Sequence, residues 1–137
     1  MCVSSQNTSL TETVLWENQN PSSLFSEQSI TLDVGKKFSD YKYIKITGKW
    51  STSDNKSICV MYPYEDFIST SWFNWDNTMR IGAALISMNG PEIRSWYLRT
   101  ISYVSDTTMI ISVGVPFSNI GISDSSKCIP LQIIGLK

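Results

Sequence analysis

The sequence predicts an all-β fold, a single antiparallel β-sandwich of jelly-roll-like type with about eight strands. Three observations carry that reading. Apolar residues recur with a period of two, as Ile44, Ile46 and Trp50 do against Lys45, Thr47 and Lys49. The alternating segments are rich in Ile, Val, Thr, Tyr and Trp, side chains that fit a pleated surface. Turn-forming clusters separate them at regular intervals, and nothing repeats convincingly with helical spacing.

Strands are expected near residues 12–17, 28–34, 42–50, 57–64, 78–88, 93–104, 107–115 and 128–135. The second rests on Ile30, Leu32 and Val34, the fourth on Ile58, Val60, Tyr62 and Tyr64. Met109, Ile111, Val113 and Val115 give the seventh, and Ile129, Leu131 and Ile133 the last. Turns fall at Asn20-Pro21-Ser22-Ser23, Ser53-Asp54-Asn55, Asn89-Gly90-Pro91 and Ser123-Asp124-Ser125-Ser126. Ser105-Asp106 reads as a tight hairpin between two long strands. Residues 65–75 have room for one helical turn. The strand at 93–104 is apolar on both faces: Trp96, Leu98 and Val104 on one, Tyr97, Ile101 and Tyr103 on the other. Such a strand is either covered by a loop or pressed against another subunit, which argues for oligomerisation.

A chain of 137 residues fits one domain. Residues 1–11 read as a flexible arm and 12–137 as the sandwich. Hydrophobic residues make up 42% and charged residues only 17%, with Ser, Thr and Asn supplying the polarity. The 11 basic and 12 acidic residues are scattered, so no basic stripe points to nucleic acid. No apolar run approaches the length of a membrane span, and no polybasic amphipathic stretch marks a membrane surface. The N-terminus lacks the regions of a signal peptide, which points to synthesis in a cytoplasm. Cys2, Cys59 and Cys128 are too few and too far apart for a disulfide framework. Cys59 and Cys128 adjoin apolar strand residues and read as buried thiols, Cys2 as exposed.

Catalytic chemistry finds little support. The absence of histidine removes the Ser-His-Asp and Cys-His nucleophile systems and most zinc and iron ligand sets. No phosphate-cradling glycine motif is present. Glu65, Asp66 and Asp76 flank an aromatic stretch, and a glycoside hydrolase needs two carboxylates across a sugar cleft; solvated carboxylates at strand ends are the simpler reading. Asp124 with its serines falls short of a calcium loop. No cofactor and no metal are expected. Asn7-Thr8-Ser9 and Asn55-Lys56-Ser57 match the glycosylation acceptor pattern, which carries weight only behind a secretory signal.

The most unusual segment is Tyr62 to Asn77. Rings beside Asn and Asp stack on sugar faces while polar groups fix hydroxyls, but a loop folding over the end of a sandwich buries rings too. Tyr64, Trp72, Phe73, Asn74 and Trp75 are the candidate ligand- or partner-contacting residues. Arg80, Arg94 and Arg99 suit an acidic ligand, although surface arginines are more often solvated or paired.

Several phrases resemble a known domain. Thr13-Val14-Leu15-Trp16-Glu17-Asn18-Gln19-Asn20-Pro21-Ser22-Ser23, then Phe25 and Gln28-Ser29-Ile30-Thr31-Leu32, resemble the start of a small domain of tail and virion-appendage proteins. These belong to phages and prophages of Gram-positive bacteria. Tyr41-Lys42-Tyr43-Ile44-Lys45-Ile46 resembles its next strand, and Arg99 to Thr108 its central hairpin. Ile129 to Lys137 resembles its apolar closing strand. The likeness covers most of residues 12–137 and is one of strand patterning, not of a catalytic motif. It implies a β-sandwich at the outer end of a virion fibre, trimeric, touching a host surface glycan or another virion protein. No binding residue carries over by position. Two other readings stand beside it: a free carbohydrate-binding module, monomeric with a shallow aromatic site, and an architectural capsid decoration protein.

Overall fold

The structure, a computed structural model, describes residues 11–69, 79–81, 86–88, 94–113, 115–116 and 123–137. Among them, the alternation resolves into ten strands: β1 (Glu12–Glu17), β2 (Gln28–Thr31), β3 (Tyr43–Ser51), β4 (Ser57–Pro63), β5 (Met79–Ile81), β6 (Ile86–Met88), β7 (Arg94–Ser105), β8 (Thr108–Ile111), β9 (Val115–Pro116) and β10 (Lys127–Leu136). A 3-10 turn, Phe38–Asp40, precedes β3, and a short helix, α1 (Tyr64–Ile68), follows β4.

One sheet runs β1-β10-β3-β4 and the other β2-β8-β7-β5, with β6 and β9 also on β7. Every pairing is antiparallel. Leu15, Ile44, Ile46 and Ile133 from the first sheet meet Ile30, Ile101, Met109 and Ile111 from the second in one core. The architecture is an all-β sandwich, as the alternation requires. Pro130 lies in β10, a central strand, where its missing N–H would break the ladder. The register slips between Pro130 and Gln132, so the proline sits at an irregularity that tolerates it.

Three strands end earlier than the alternation suggests. β2 stops at Thr31, and Val34, counted with the apolar face, is fully exposed at 102%. Lys36 N–H donates to the Asp33 carbonyl (3.0 Å) and Gly35 has φ +83°, the left-handed conformation that a type II turn needs at its third position. β8 ends at Ile111, and Val115 belongs to the separate β9. β4 ends at Pro63, and Tyr64 opens α1 within the span that had room for a helical turn. That helix is fixed by packing: Phe67 is fully buried, 4.7 Å from Phe38 and 5.7 Å from Tyr103 between ring centroids.

The polar face of β3 is not simply solvated. Lys45 and Lys49 are both only 7% exposed. Lys45 Nζ donates to Glu12 Oε1 at 2.6 Å, and Lys49 Nζ to the Thr52 carbonyl at 3.3 Å and Asn55 Oδ1 at 3.4 Å. The cysteines also differ from expectation. Cys128 is a buried free thiol, but Cys59, half-buried on β4, is disulfide-bonded, its partner lying outside the described residues. β7 is covered within a single chain at part of its length, among the residues whose side chains are described. Among the described side chains of its outer face, Leu98 is 5% and Ser102 1% exposed, while Val104 near its end stands 51% open.

Candidate aromatic groove and its counterpart

Of the five candidate contact residues, Tyr64 is described; Trp72, Phe73, Asn74 and Trp75 lie outside the described residues. Tyr64 is positioned by backbone. Its N–H donates to the Lys42 carbonyl (2.8 Å), and Lys42 N–H donates to the Leu136 carbonyl (2.7 Å), so the start of α1 is tied across β3 to β10. The β3–β4 register sets Tyr43 opposite Pro63. Tyr41 is held beside them by Tyr41 N–H to the Phe38 carbonyl (3.1 Å), with its ring lying against the Gly135 backbone. A Cβ at Gly135 would fall 2.4 Å from Tyr41 Cγ, so this ring position depends on glycine.

The outcome is an open groove of about 290 Å³ lined by Tyr41, Lys42, Tyr43, Pro63, Tyr64 and Glu65. Tyr43 and Tyr64 are half-buried and Tyr41 largely buried, while Lys42 and Glu65 are exposed at the rim. Burial, then the neighbouring Tyr103, Asp106 and Glu65, pushes the Tyr64 hydroxyl above its ordinary pKa. Asp106 is itself fixed, accepting from Ser39 N–H (2.8 Å) and Ser39 Oγ (2.6 Å). Rings with a polar rim suit a ligand that has both apolar faces and polar edges. Tyr41 and Tyr43 were not among the sequence-selected residues. Their aromatic spacing at the head of a strand was visible, but only the pairing with Pro63 joins them to Tyr64.

The far end of β3 holds a second aromatic cluster. Lys56 Nζ lies 5.2 Å and Lys127 Nζ 4.9 Å from the Trp50 ring centroid, and Lys127 Nζ also lies 5.7 Å from that of Tyr97. Arg99 anchors the loop behind it. It is fully buried, so it is not a surface clamp for a ligand. Its Nε donates to the Cys128 (2.7 Å) and Lys127 (3.1 Å) carbonyls, Nη1 to Ser112 (2.6 Å) and Nη2 to Ser125 (3.0 Å). Phe25 covers the guanidinium at 5.1 Å. Burial lowers its pKa to about 10. Cys128 adopts a left-handed φ of 51°, with its thiol donating to the Tyr97 carbonyl at 3.1 Å.

Among the described residues, no three Cys, Asp or Glu side chains cluster to hold a metal, and no helix is long and apolar enough to cross a membrane. Glu65 and Asp66 are adjacent, both exposed on α1; Asp76 lies outside the described residues. No protein-family model matches the chain, and no curated protein is significantly similar to it.

Proposed function

We propose that this domain is a non-catalytic virion module, a sandwich of the jelly-roll kind displayed on a phage appendage, that engages a host surface glycan through the Tyr41–Tyr43–Tyr64 groove. The groove is the observation that carries the binding half of this reading. It places three tyrosines and a proline beside two exposed charged side chains, the arrangement by which flat sugar faces are stacked and their hydroxyls hydrogen-bonded. The virion half rests on the phrases at residues 13–32, 41–46, 99–108 and 129–137, which resemble tail-appendage domains. In this reading the protein is made in the bacterial cytoplasm, assembles as a trimer and joins the particle.

The test is retention on purified cell-wall polysaccharide from Gram-positive bacteria and on a glycan array. The folded wild type is retained, and the Tyr43→Ala/Tyr64→Ala variant is lost from the same ligands. Equal retention of both proteins would remove the groove from the account.

One observation favours the free carbohydrate-binding module instead. The outer face of β7 is buried by the chain itself at Leu98 and Ser102, which weakens the argument from that strand for a neighbouring subunit. Light scattering separates the two: a stable trimer supports the appendage, and a glycan-binding monomer supports the free module. Absence of any glycan affinity, with capsid binding retained, supports the decoration protein.

A further inference from the structure

We infer that the disulfide partner of Cys59 is Cys2, and that their bond fastens the N-terminal segment across the face of the first sheet turned away from the core. The chain has three cysteines, Cys2, Cys59 and Cys128. Cys59 is bonded and Cys128 is a free, buried thiol, so within one chain only Cys2 is left. The register gives the direction of the bond. On β4, Ile58 is buried and Val60 and Tyr62 pack on the core, which turns Cys59 and Met61 to the opposite face. β1 and β4 are the two edges of this sheet, and Glu12 shares a row across it with Leu136, Tyr43 and Pro63. Crossing the sheet along that row and then running down β4 to Cys59 places the two ends about 20 Å apart. The Thr11 carbonyl accepts from Lys137 N–H at 3.2 Å. From that fixed point the chain back to Cys2 reaches up to about 30 Å, enough to span the face.

The face between suits such a cover. One row across it reads Val14, Ile134, Lys45 and Met61. Ile134 and Lys45 in its middle are buried although they point away from the core, while Val14 and Met61 at its edges are exposed. Residues 3–10 carry no charged side chain, and Lys45 is already paired with Glu12, so laying the segment there strips no unpaired ion of water. Closing the bond joins Cys2 Sγ to Cys59 Sγ, while a small disulfide takes up the two electrons and two protons and leaves as two thiols. A reducing cytoplasm keeps the thiols apart and oxidising surroundings close them, so the segment is fastened by redox state, whatever the groove binds.

The full chain, oxidised with glutathione disulfide, is digested without reductant and its linked peptides are identified by mass spectrometry. The Cys2 peptide should be joined to the Cys59 peptide in a chain that runs as a monomer on a non-reducing gel. A Cys59–Cys128 link, covalent dimers or three free thiols would overturn the inference. The cover is read separately by amine acetylation of the folded protein. Lys45 should react several-fold more slowly in the oxidised chain than in the reduced one, and exposed Lys42 equally in both. Cys2→Ser and Cys59→Ser should each match the reduced wild type with or without reductant, and Cys128→Ser should keep the response to reductant. Lys45 acetylation that ignores reductant while the Cys2–Cys59 link is present would overturn the placement of the segment on this face.

Discussion

The two ends of β3 use the same materials to opposite effect. Tyr43 and Trp50 are separated by about 23 Å of extended strand. At the Trp50 end, two lysines of the chain lie over the ring, and the loop supplying Lys127 is bolted down by Arg99. At the Tyr43 end, the rings border an open groove with an acidic neighbour. Lysines of the chain lie over rings at both ends, Lys137 over Tyr41 among them, but only at the Tyr43 end do the rings border a groove into which a ligand would fit. An aromatic residue's identity says little about binding until its own chain's cations and backbone have been placed around it.

Perturbing each end sharpens the contrast, and the largest effect belongs to the closed one. Arg99→Ala leaves four carbonyl groups without their donor, and should destabilise the fold by about 3 kcal/mol or more in urea unfolding. A loss below about 1 kcal/mol would mean that water replaces the guanidinium and that this end is less closed than described. Gly135→Ala drives a methyl group into the Tyr41 ring. It should cost about 1–3 kcal/mol and also weaken glycan retention, because the groove wall moves. Lys127→Ala should cost about 1 kcal/mol and leave ligand binding untouched, as a lysine over a half-buried ring contributes about that much.

The thiols give the finest test of the closed end. Burial raises the Cys128 pKa from 9.0 to about 11. A thiol whose folded pKa is raised favours folding fully below the unfolded value, and that contribution is lost as pH rises through the folded one. The Cys128 contribution should thus be constant below about pH 9 and decline towards pH 11. Iodoacetamide at neutral pH should leave native protein unlabelled at Cys128 and label it on unfolding. With Cys59 disulfide-bonded and Cys128 free, unfolding without reductant should expose one reactive thiol per chain. Three would show that no disulfide forms.

The fold was legible because burial on one side of a sheet writes itself as alternation: Ile44 and Ile46 are fully buried where the period put them. Val34 misled because the alternation runs on into a turn, and only Gly35 marks where the chain reverses. Arg99 misled for a different reason. Its four acceptors are carbonyls, which every residue carries, so no sequence pattern announces a pocket for a guanidinium. The candidate site was half legible. Tyr64 stood out in an aromatic run, whereas Tyr41 and Tyr43 become its neighbours only through strand register and the tie between Lys42 and Tyr64. Lys45 and Lys49 lie where alternation put them, yet they are buried, because carboxylate, carbonyl and amide oxygens reach their ammonium groups there.

The central claim is that one end of β3 is open to ligand and the other is closed. An NMR titration of the labelled protein with soluble fragments of Gram-positive cell-wall polysaccharide, following backbone amides, tests it most directly. The account predicts saturable shifts at Tyr41, Lys42, Tyr43, Tyr64 and Glu65, with Trp50 and Lys127 unmoved. Shifts centred on Trp50 and Lys127 would contradict it, and so would shifts confined to the Trp72–Trp75 segment.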